Sequence, residues 1–370
     1  MLIGGEGYRS IWRRSGDHPI EIIDQTELPH RFVIRSLEGL DSVCEAIQSM
    51  RVRGAPLIGA TAAHGLALAL ESTPGDDSLD RAGKALVSTR PTAVNLRWAV
   101  ERMVSRVRPL APSERARVAR AEAERICDED AAACEAIGEH GLRALAEIAE
   151  RRDGEPLRIL THCNAGWLAT VDWGTALAPI YKAHQAGWPL HVWVDETRPR
   201  NQGASLTAFE LREMGIPHTV IVDNAGGHLM QRGEVDAVLV GSDRTTARGD
   251  VCNKIGTYLK ALAAHANQIP FFVALPVSTI DWSLEDGLRD IPIEERGHDE
   301  VREIRGMTGE GTIATVRLFD PASPAANPAF DVTPARYVTR LITEWGPCDP
   351  SRDALASLRD RIERRGLHPA

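Results

Sequence analysis

Five polar clusters after Pro156 carry side chains able to do chemistry on a small molecule. They are Thr161-His162-Cys163-Asn164, Asp195-Glu196-Thr197-Arg198, Asp223-Asn224, Ser242-Asp243-Arg244 and Ser278-Thr279. Together they offer a thiol, several carboxylates and two arginines, groups that move protons and hold polar substrates. A second set places an arginine just before a proline able to open a helix: Arg53-Gly54-Ala55-Pro56, Arg90-Pro91 and Arg198-Pro199. Proline loses nothing at the first helical position, and the free N–H groups there favour an anion. A guanidinium beside them adds a two-pronged phosphate clamp, and Gly54-Ala55 lets the backbone approach closely. Each residue also has a plainer reading: Cys163 as a small buried hydrophobe, Asp243 as a helix cap and Asp195 as a turn cap.

The clusters gain meaning from the elements before them. Short apolar runs, Leu157 to Leu160, Leu190 to Val194, His218 to Val222, Ala237 to Val240 and Phe271 to Leu275, read as buried strands, and each ends in one cluster. Helix-length segments lie between them: Gly174 to Gln185, Leu206 to Met214, Ala225 to Gln231 and Val251 to Ala264. Strands alternating with helices in this way build a parallel, doubly wound sheet, and such sheets bind ligands beyond the carboxyl ends of their strands. The five clusters therefore line one crevice suited to a small polar substrate.

Upstream, two β-rich runs, Ile20 to Ile23 and Phe32 to Ile34, precede a region of helical periodicity from Asp41 to Arg151. Its helices are expected over Leu57 to Leu70, Thr92 to Val104 and Ser113 to Glu150. The turn-forming run 151–156 marks a boundary, so the expected fold class is α/β: a mainly helical N-terminal domain (1–150) with a small β element, then a Rossmann-like sheet domain (151–350). A charged surface helix forms the tail (351–370). The irregular stretches 281–307 and 321–334 read as ordered loops that rim a site or pack on another subunit.

Several function classes are excluded. The 43 Lys and Arg residues against 52 Asp and Glu give a formal net charge of −9, without a basic block, so nucleic acid is not the expected partner. The start of the chain lacks an apolar leader, and its longest apolar stretch, Leu57 to Leu70, is shorter than the ~20 residues a spanning helix needs. A cytoplasmic protein without membrane contact is expected. Six scattered cysteines show neither metal-ligand nor disulfide spacing, and His64 and His162 lack a second ligand nearby, so no metal is expected. After the first strand the turn Cys163-Asn164-Ala165-Gly166 has no GxGxxG, which argues against a dinucleotide cofactor and a nicotinamide-dependent dehydrogenase.

With these residues in view, the chain resembles the methylthioribose-1-phosphate isomerases, a family shared with the α, β and δ regulatory subunits of a eukaryotic translation-initiation exchange factor. The resemblance spans Tyr8 to Gly346 and rests on long matches, among them Arg90-Pro91-Thr92-Ala93-Val94-Asn95-Leu96, Thr161-His162-Cys163-Asn164, Asp195-Glu196-Thr197-Arg198-Pro199, Asp243-Arg244-Thr245 and Asn253-Lys254-Ile255-Gly256-Thr257-Tyr258. It departs at Ser242, where the family commonly has Ala, and at Ser205, where an Arg is often seen.

The resemblance implies a homodimeric aldose–ketose isomerase of methionine salvage acting on a sugar phosphate. Arg53, Gly54, Ala55, Arg90, Gln202, Asn253 and Lys254 would bind the substrate, Asp243 would be the catalytic acid/base and Cys163 would support the transition state. An isomerase of 5-deoxyribose 1-phosphate or ribose 1,5-bisphosphate would carry much the same core, and a non-catalytic regulatory subunit would bind its ligand in the same crevice. Hydrogen would travel from C2 to C1 either as a proton, with Cys163 as base, or as hydride in a dry pocket walled by Trp167, Leu168 and Trp173.

Overall fold

The computed structural model describes residues 1–14, 19–90 and 93–365. Its helical part is organised by a helix that is apolar on every side. In α2 (Ala55–Ser72) every residue from Leu57 to Leu70 is buried. A helix without a polar face must sit at the centre of its layer, and α1 (Leu40–Gln48), α3 (Asp76–Thr89), α4 (Val94–Val107) and α5 (Pro112–Glu150) pack around it. At 39 residues, α5 is roughly 58 Å long and packs both on α2 and on the helix Leu177–Gln185 beside the sheet. A three-stranded antiparallel sheet, Ile11–Arg13, Ile20–Ile23 and Ile34–Leu37, accompanies the helices. Its last strand starts two residues later than the sequence indicated, because Leu37 is the buried member of the alternation and Phe32 is exposed. Pro91 and Thr92, at the expected start of α4, lie outside the described residues.

The main sheet has seven strands, numbered here β1 (Leu157–Thr161), β2 (Leu190–Asp195), β3 (His218–Ile221), β4 (Ala237–Val240), β5 (Phe271–Ala274), β6 (Arg340–Thr343) and β7 (Gly346–Cys348). Their order is β7-β6-β5-β4-β1-β2-β3, parallel except for β7. The chain moves outward from β1 to β3 and then returns to the other side of β1 with β4. The strand order therefore reverses between β1 and β4, where an open α/β sheet forms its ligand crevice. All five expected strands are present. The pair β6–β7 was not anticipated: its short apolar run follows a long irregular stretch and carries no βαβ signal.

One expectation fails locally. Val251–Lys254 is a strand rather than the start of a helix; it pairs with Arg244–Thr246 and Phe330–Thr333, and the helix begins at Thr257, after Gly256 turns the chain at φ 100°. The resulting four-stranded sheet, completed by Ile280–Asp281, is a direct outgrowth of the end of β4. The segment Asn327 to Phe330 packs within its own chain: Ala329 N–H donates to Glu294 O at 2.8 Å and Arg296 N–H to Asn327 O at 3.0 Å. The C-terminal helix Arg352–Glu363 is charged outward, as expected, but buries Leu355, Leu358 and Ile362 against the sheet core. Among the described residues, no helix is long and apolar enough to cross a membrane.

The helical part meets the sheet where α2 begins. Gly54 has φ +93°, and a Cβ there would lie 2.2 Å from the carbonyl oxygen of Ala169 in the turn after β1. Gln25 Nε2 donates to Leu168 O at 2.6 Å and Ser10 Oγ to Trp167 O at 2.8 Å, gripping the same turn. Gly54→Ala should combine left-handed backbone strain with a steric clash and cost on the order of 1 to 3 kcal/mol or more. Urea unfolding measures this; a variant as stable as the parent would show that the two layers do not meet as described.

Candidate active site

The crevice at the β1–β4 switch point is completed by the helical part. Its inner cleft is about 70 Å³ and is walled by Arg53, Gly54, Ala55 and Arg90 on one side and by Cys163, Gln202, Asp243 and Lys254 on the other. Met50, Arg53 and Gln202 also wall an adjoining outer cavity of about 280 Å³, where Ser205 stands. Eight of the nine residues singled out from the sequence thus face one space. Asn253 is the exception. Strand residues alternate in direction, so Cys252 and Lys254 face the cleft while the Asn253 amide donates to Thr257 Oγ1 at 3.0 Å.

Three of the cleft cations are each pinned by a protein acceptor. Arg53 Nη1 donates to Asn164 Oδ1 at 2.6 Å and Nη2 to Asn164 O at 2.8 Å. Arg90 Nη2 donates to Glu294 Oε2 at 3.1 Å. Lys254 Nζ donates to Ala329 O at 2.9 Å and sits 4.7 Å from the Phe330 ring centroid. Burial pushes the Lys254 ammonium below its ordinary pKa, against the pull of Cys163 and Asp243. For Asp243 burial dominates and raises the carboxyl's pKa, although Lys254, Arg53 and Arg90 oppose the shift. The carboxylic acid is thereby kept available as a proton donor at higher pH than an ordinary aspartate. Cys252, next to it, has its thiol pushed up to about 12 by burial and by Asp243, so it stays protonated.

Cys163 occupies a left-handed backbone conformation, φ +67°, uncommon for a residue with a side chain. It is held there from both sides: its N–H donates to Thr197 Oγ1 at 2.8 Å and its carbonyl accepts from Thr207 Oγ1 at 2.7 Å. Gln202 Oε1 is buried without a partner among the described residues and borders the cleft, an acceptor placed for a hydroxyl.

Sequence reasoning missed Glu210, which supports this wall from behind. Its fully buried carboxylate accepts from Asn164 Nδ2 at 2.9 Å, from the N–H groups of Trp167 and Leu168 at 3.0 and 3.1 Å, and from Tyr181 Oη at 2.5 Å. By orienting Asn164 it orients Arg53. No spacing rule links a glutamate in the helix Ala208–Glu213 to a turn more than forty residues earlier, so only the fold reveals it.

Other strand ends do structural work. Asp195 Oδ2 lies 2.8 Å from His162 Nδ1 and 3.1 Å from Lys260 Nζ, buried beneath the crevice. Asp223 receives the N–H groups of Thr197 and Arg198 at 2.7 Å each, and Arg198 Nη2 donates to Val301 O at 2.8 Å. Ser278 Oγ accepts from Asn95 of α4 at 3.0 Å. His162, Asp195 and Asp223 have ligand atoms within 4.8 Å of one another, but the Lys260 ammonium already stands on Asp195 there. The expected aromatic wall is elsewhere: Trp167 and Leu168 are in the sheet core, and Trp173 lies under the Lys182 ammonium, 4.1 Å from its ring centroid. The cleft's apolar lining is instead Met50, Ile58, Ile291, Pro292 and Phe330.

This geometry has close counterparts. The chain is 62% identical over 358 residues to the methylthioribose-1-phosphate isomerase of Methylorubrum populi, covering 97% of this chain and 98% of that one. It is 60% identical to the enzyme of that name from Gluconobacter oxydans, over 97% and 98% of the two chains. The crystal structure of 5-methylthioribose 1-phosphate isomerase from Pyrococcus horikoshii superposes with a TM-score of 0.83 at 40% identity, covering 96% of this chain and 97% of that one. The translation initiation factor eIF-2B subunit delta from A. fulgidus does so with a TM-score of 0.78 at 37% identity, over 96% and 100%. The model of the initiation factor 2 subunit family matches residues 51–350. That span takes in both walls of the cleft and most of the chain, and the protein belongs to the initiation factor 2 subunit family.

Proposed function

We propose that this protein is an aldose–ketose isomerase that converts S-methyl-5-thio-α-D-ribose 1-phosphate into S-methyl-5-thio-D-ribulose 1-phosphate in methionine salvage. The observation that carries the reading is Asp243, a carboxyl group raised in pKa by burial, facing Cys163 and three pinned cations in one cleft. Relatives at about 60% identity over nearly their whole length bear the isomerase name.

Phosphorylation at C1 locks the sugar as a glycosyl phosphate, so the ring must open before the carbon skeleton can rearrange. Arg53, Arg90 and Lys254 hold the phosphate dianion, and the Gln202 carboxamide oxygen takes a sugar hydroxyl. Asp243 gives its proton to the ring oxygen; the C1–O bond breaks and C1 is left electrophilic. Hydride then passes from C2 to C1 while the C2 hydroxyl becomes a carbonyl, and its proton returns to the Asp243 carboxylate. No net proton or electron is left over. The apolar lining of Met50, Ile58, Ile291, Pro292 and Phe330 favours hydride over proton transfer, since it keeps water from the cation. Cys163 supports the transition state at the opposite wall. The outer cavity receives the C5 substituent. A metal or dinucleotide has no part in this scheme. A cytoplasmic homodimer belongs to the same proposal; the exposed Val220 and Val222 at edge strand β3 offer an apolar surface for the partner.

Asp243→Asn should abolish turnover while sparing substrate binding, because the amide keeps the shape but delivers no proton. Arg53→Ala should chiefly weaken binding, by roughly 1.5 to 3 kcal/mol for a charged hydrogen bond. Steady-state kinetics with calorimetric binding separates the two, and near-normal kcat in Asp243→Asn would remove the acid from the scheme. For hydrogen transfer, a single turnover in heavy water should give product without deuterium at C1. Extensive deuterium there, lost together with activity in Cys163→Ser, would make Cys163 a base and the route enediolate.

A further inference from the structure

We propose that Glu300 is a positioning residue that sets the phosphate-binding end of the cleft through three separate arms. The proposal rests on the reading of that cleft as a sugar-phosphate site. Glu300 belongs to the short helix Asp299–Arg302, in a charged stretch whose sequence shows no regular periodicity. Both its oxygens are engaged by protein donors: Oε1 by Arg200 Nη1 and Arg296 Nη2, each at 2.7 Å, and Oε2 by Arg296 Nε and Asn327 Nδ2, each at 3.0 Å.

Each donor leads to a different cleft group. Arg296 also donates through Nη1 to Glu294 Oε1 at 2.8 Å, and Glu294 Oε2 receives Arg90. Asn327, almost wholly buried, fixes the strand segment whose Ala329 carbonyl receives Lys254 Nζ and whose Phe330 ring lies beneath it. Arg200 stands two residues before Gln202 in the loop after β2. The alternation Arg90–Glu294–Arg296–Glu300–Arg200 places an opposite charge beside every like one, which a set of converging cations needs if it is to stay gathered without a ligand. Burial acts to raise the Glu300 carboxyl, but Arg296 and Arg200 outweigh it and hold it down to about 2, so it stays ionised below the ordinary glutamate range.

An ordinary stabilising ion network would change melting temperature alone; a positioning role changes anion affinity. The test uses the full chain and inorganic phosphate as calorimetric probe, alongside KM and kcat on the sugar phosphate. Glu300→Gln should weaken phosphate binding and raise KM by about tenfold with kcat within about twofold, and Glu294→Gln, which cuts only the arm to Arg90, should do so by a smaller factor of about threefold. The double variant should be little worse than Glu300→Gln alone, because the arm to Arg90 is already cut there. Unchanged phosphate affinity and KM with only a lowered melting temperature would overturn the proposal, as would a wild type with no phosphate affinity. Should Glu300→Gln fail to fold, Arg296→Met severs Glu300 from Glu294 while Arg200 and Asn327 still hold the carboxylate, and a loss of phosphate affinity matching that of Glu294→Gln is expected or the proposal fails. A wild type that binds phosphate but does not isomerise the sugar would count against the function proposed above and not against Glu300.

Discussion

Mutual repulsion among Arg53, Arg90 and Lys254 is the constraint on which the site depends. Two like charges about 4 Å apart repel by roughly 4 kcal/mol at an effective dielectric of about 20. The protein answers with acceptors fixed behind each cation: Asn164 for Arg53, Glu294 for Arg90 and the Ala329 carbonyl for Lys254. Those acceptors are themselves held, Asn164 by the buried Glu210 and Glu294 by Arg296. A dianionic phosphate would complete the balance. Asp243 shares the same enclosure, and its burial outweighs the cations that act to lower its pKa.

The fold distributes this burden between its two layers. Reversal of strand order between β1 and β4 puts Cys163 and Asp243 on facing rims, since each follows its strand directly. Arg53 and Arg90 come from the helical part, so the sheet by itself makes only half a site. Close contact at Gly54 holds the two halves in register, where even a methyl group would strike the Ala169 carbonyl. The small sheet that grows out of β4 brings Lys254 back over the crevice, and its pairing with Phe330–Thr333 fastens the Ala329 carbonyl beside it.

Much of this was legible before any coordinates. Short buried strands with polar ends announce themselves by composition, and the Arg-Gly-Ala-Pro segment identified a helix start fit for an anion. Legibility ended where meaning depends on pairing between distant segments. Val251–Lys254 reads as helix because its apolar neighbours continue into one, and only its two strand partners make it extended. Asn253 was grouped with Lys254 by motif, yet strand alternation turns the two side chains to opposite faces. Glu210, Glu294 and Glu300 carry no local signature: a glutamate in a charged stretch looks solvated until the fold brings arginines or amides to it. The apolar wall was misplaced for the same reason, Trp167 and Leu168 being taken up by the sheet core.

The central claim is that burial in a cation-lined cleft lets Asp243 keep its proton to higher pH than an ordinary aspartate. Infrared difference spectroscopy, comparing the unliganded protein with Asp243→Asn across a pH titration, addresses it without any assumption about the sugar. The account predicts a protonated-carboxyl C=O band in the wild type that is missing from the variant and that fades above the ordinary aspartate range. A band that fades within or below that range would contradict it.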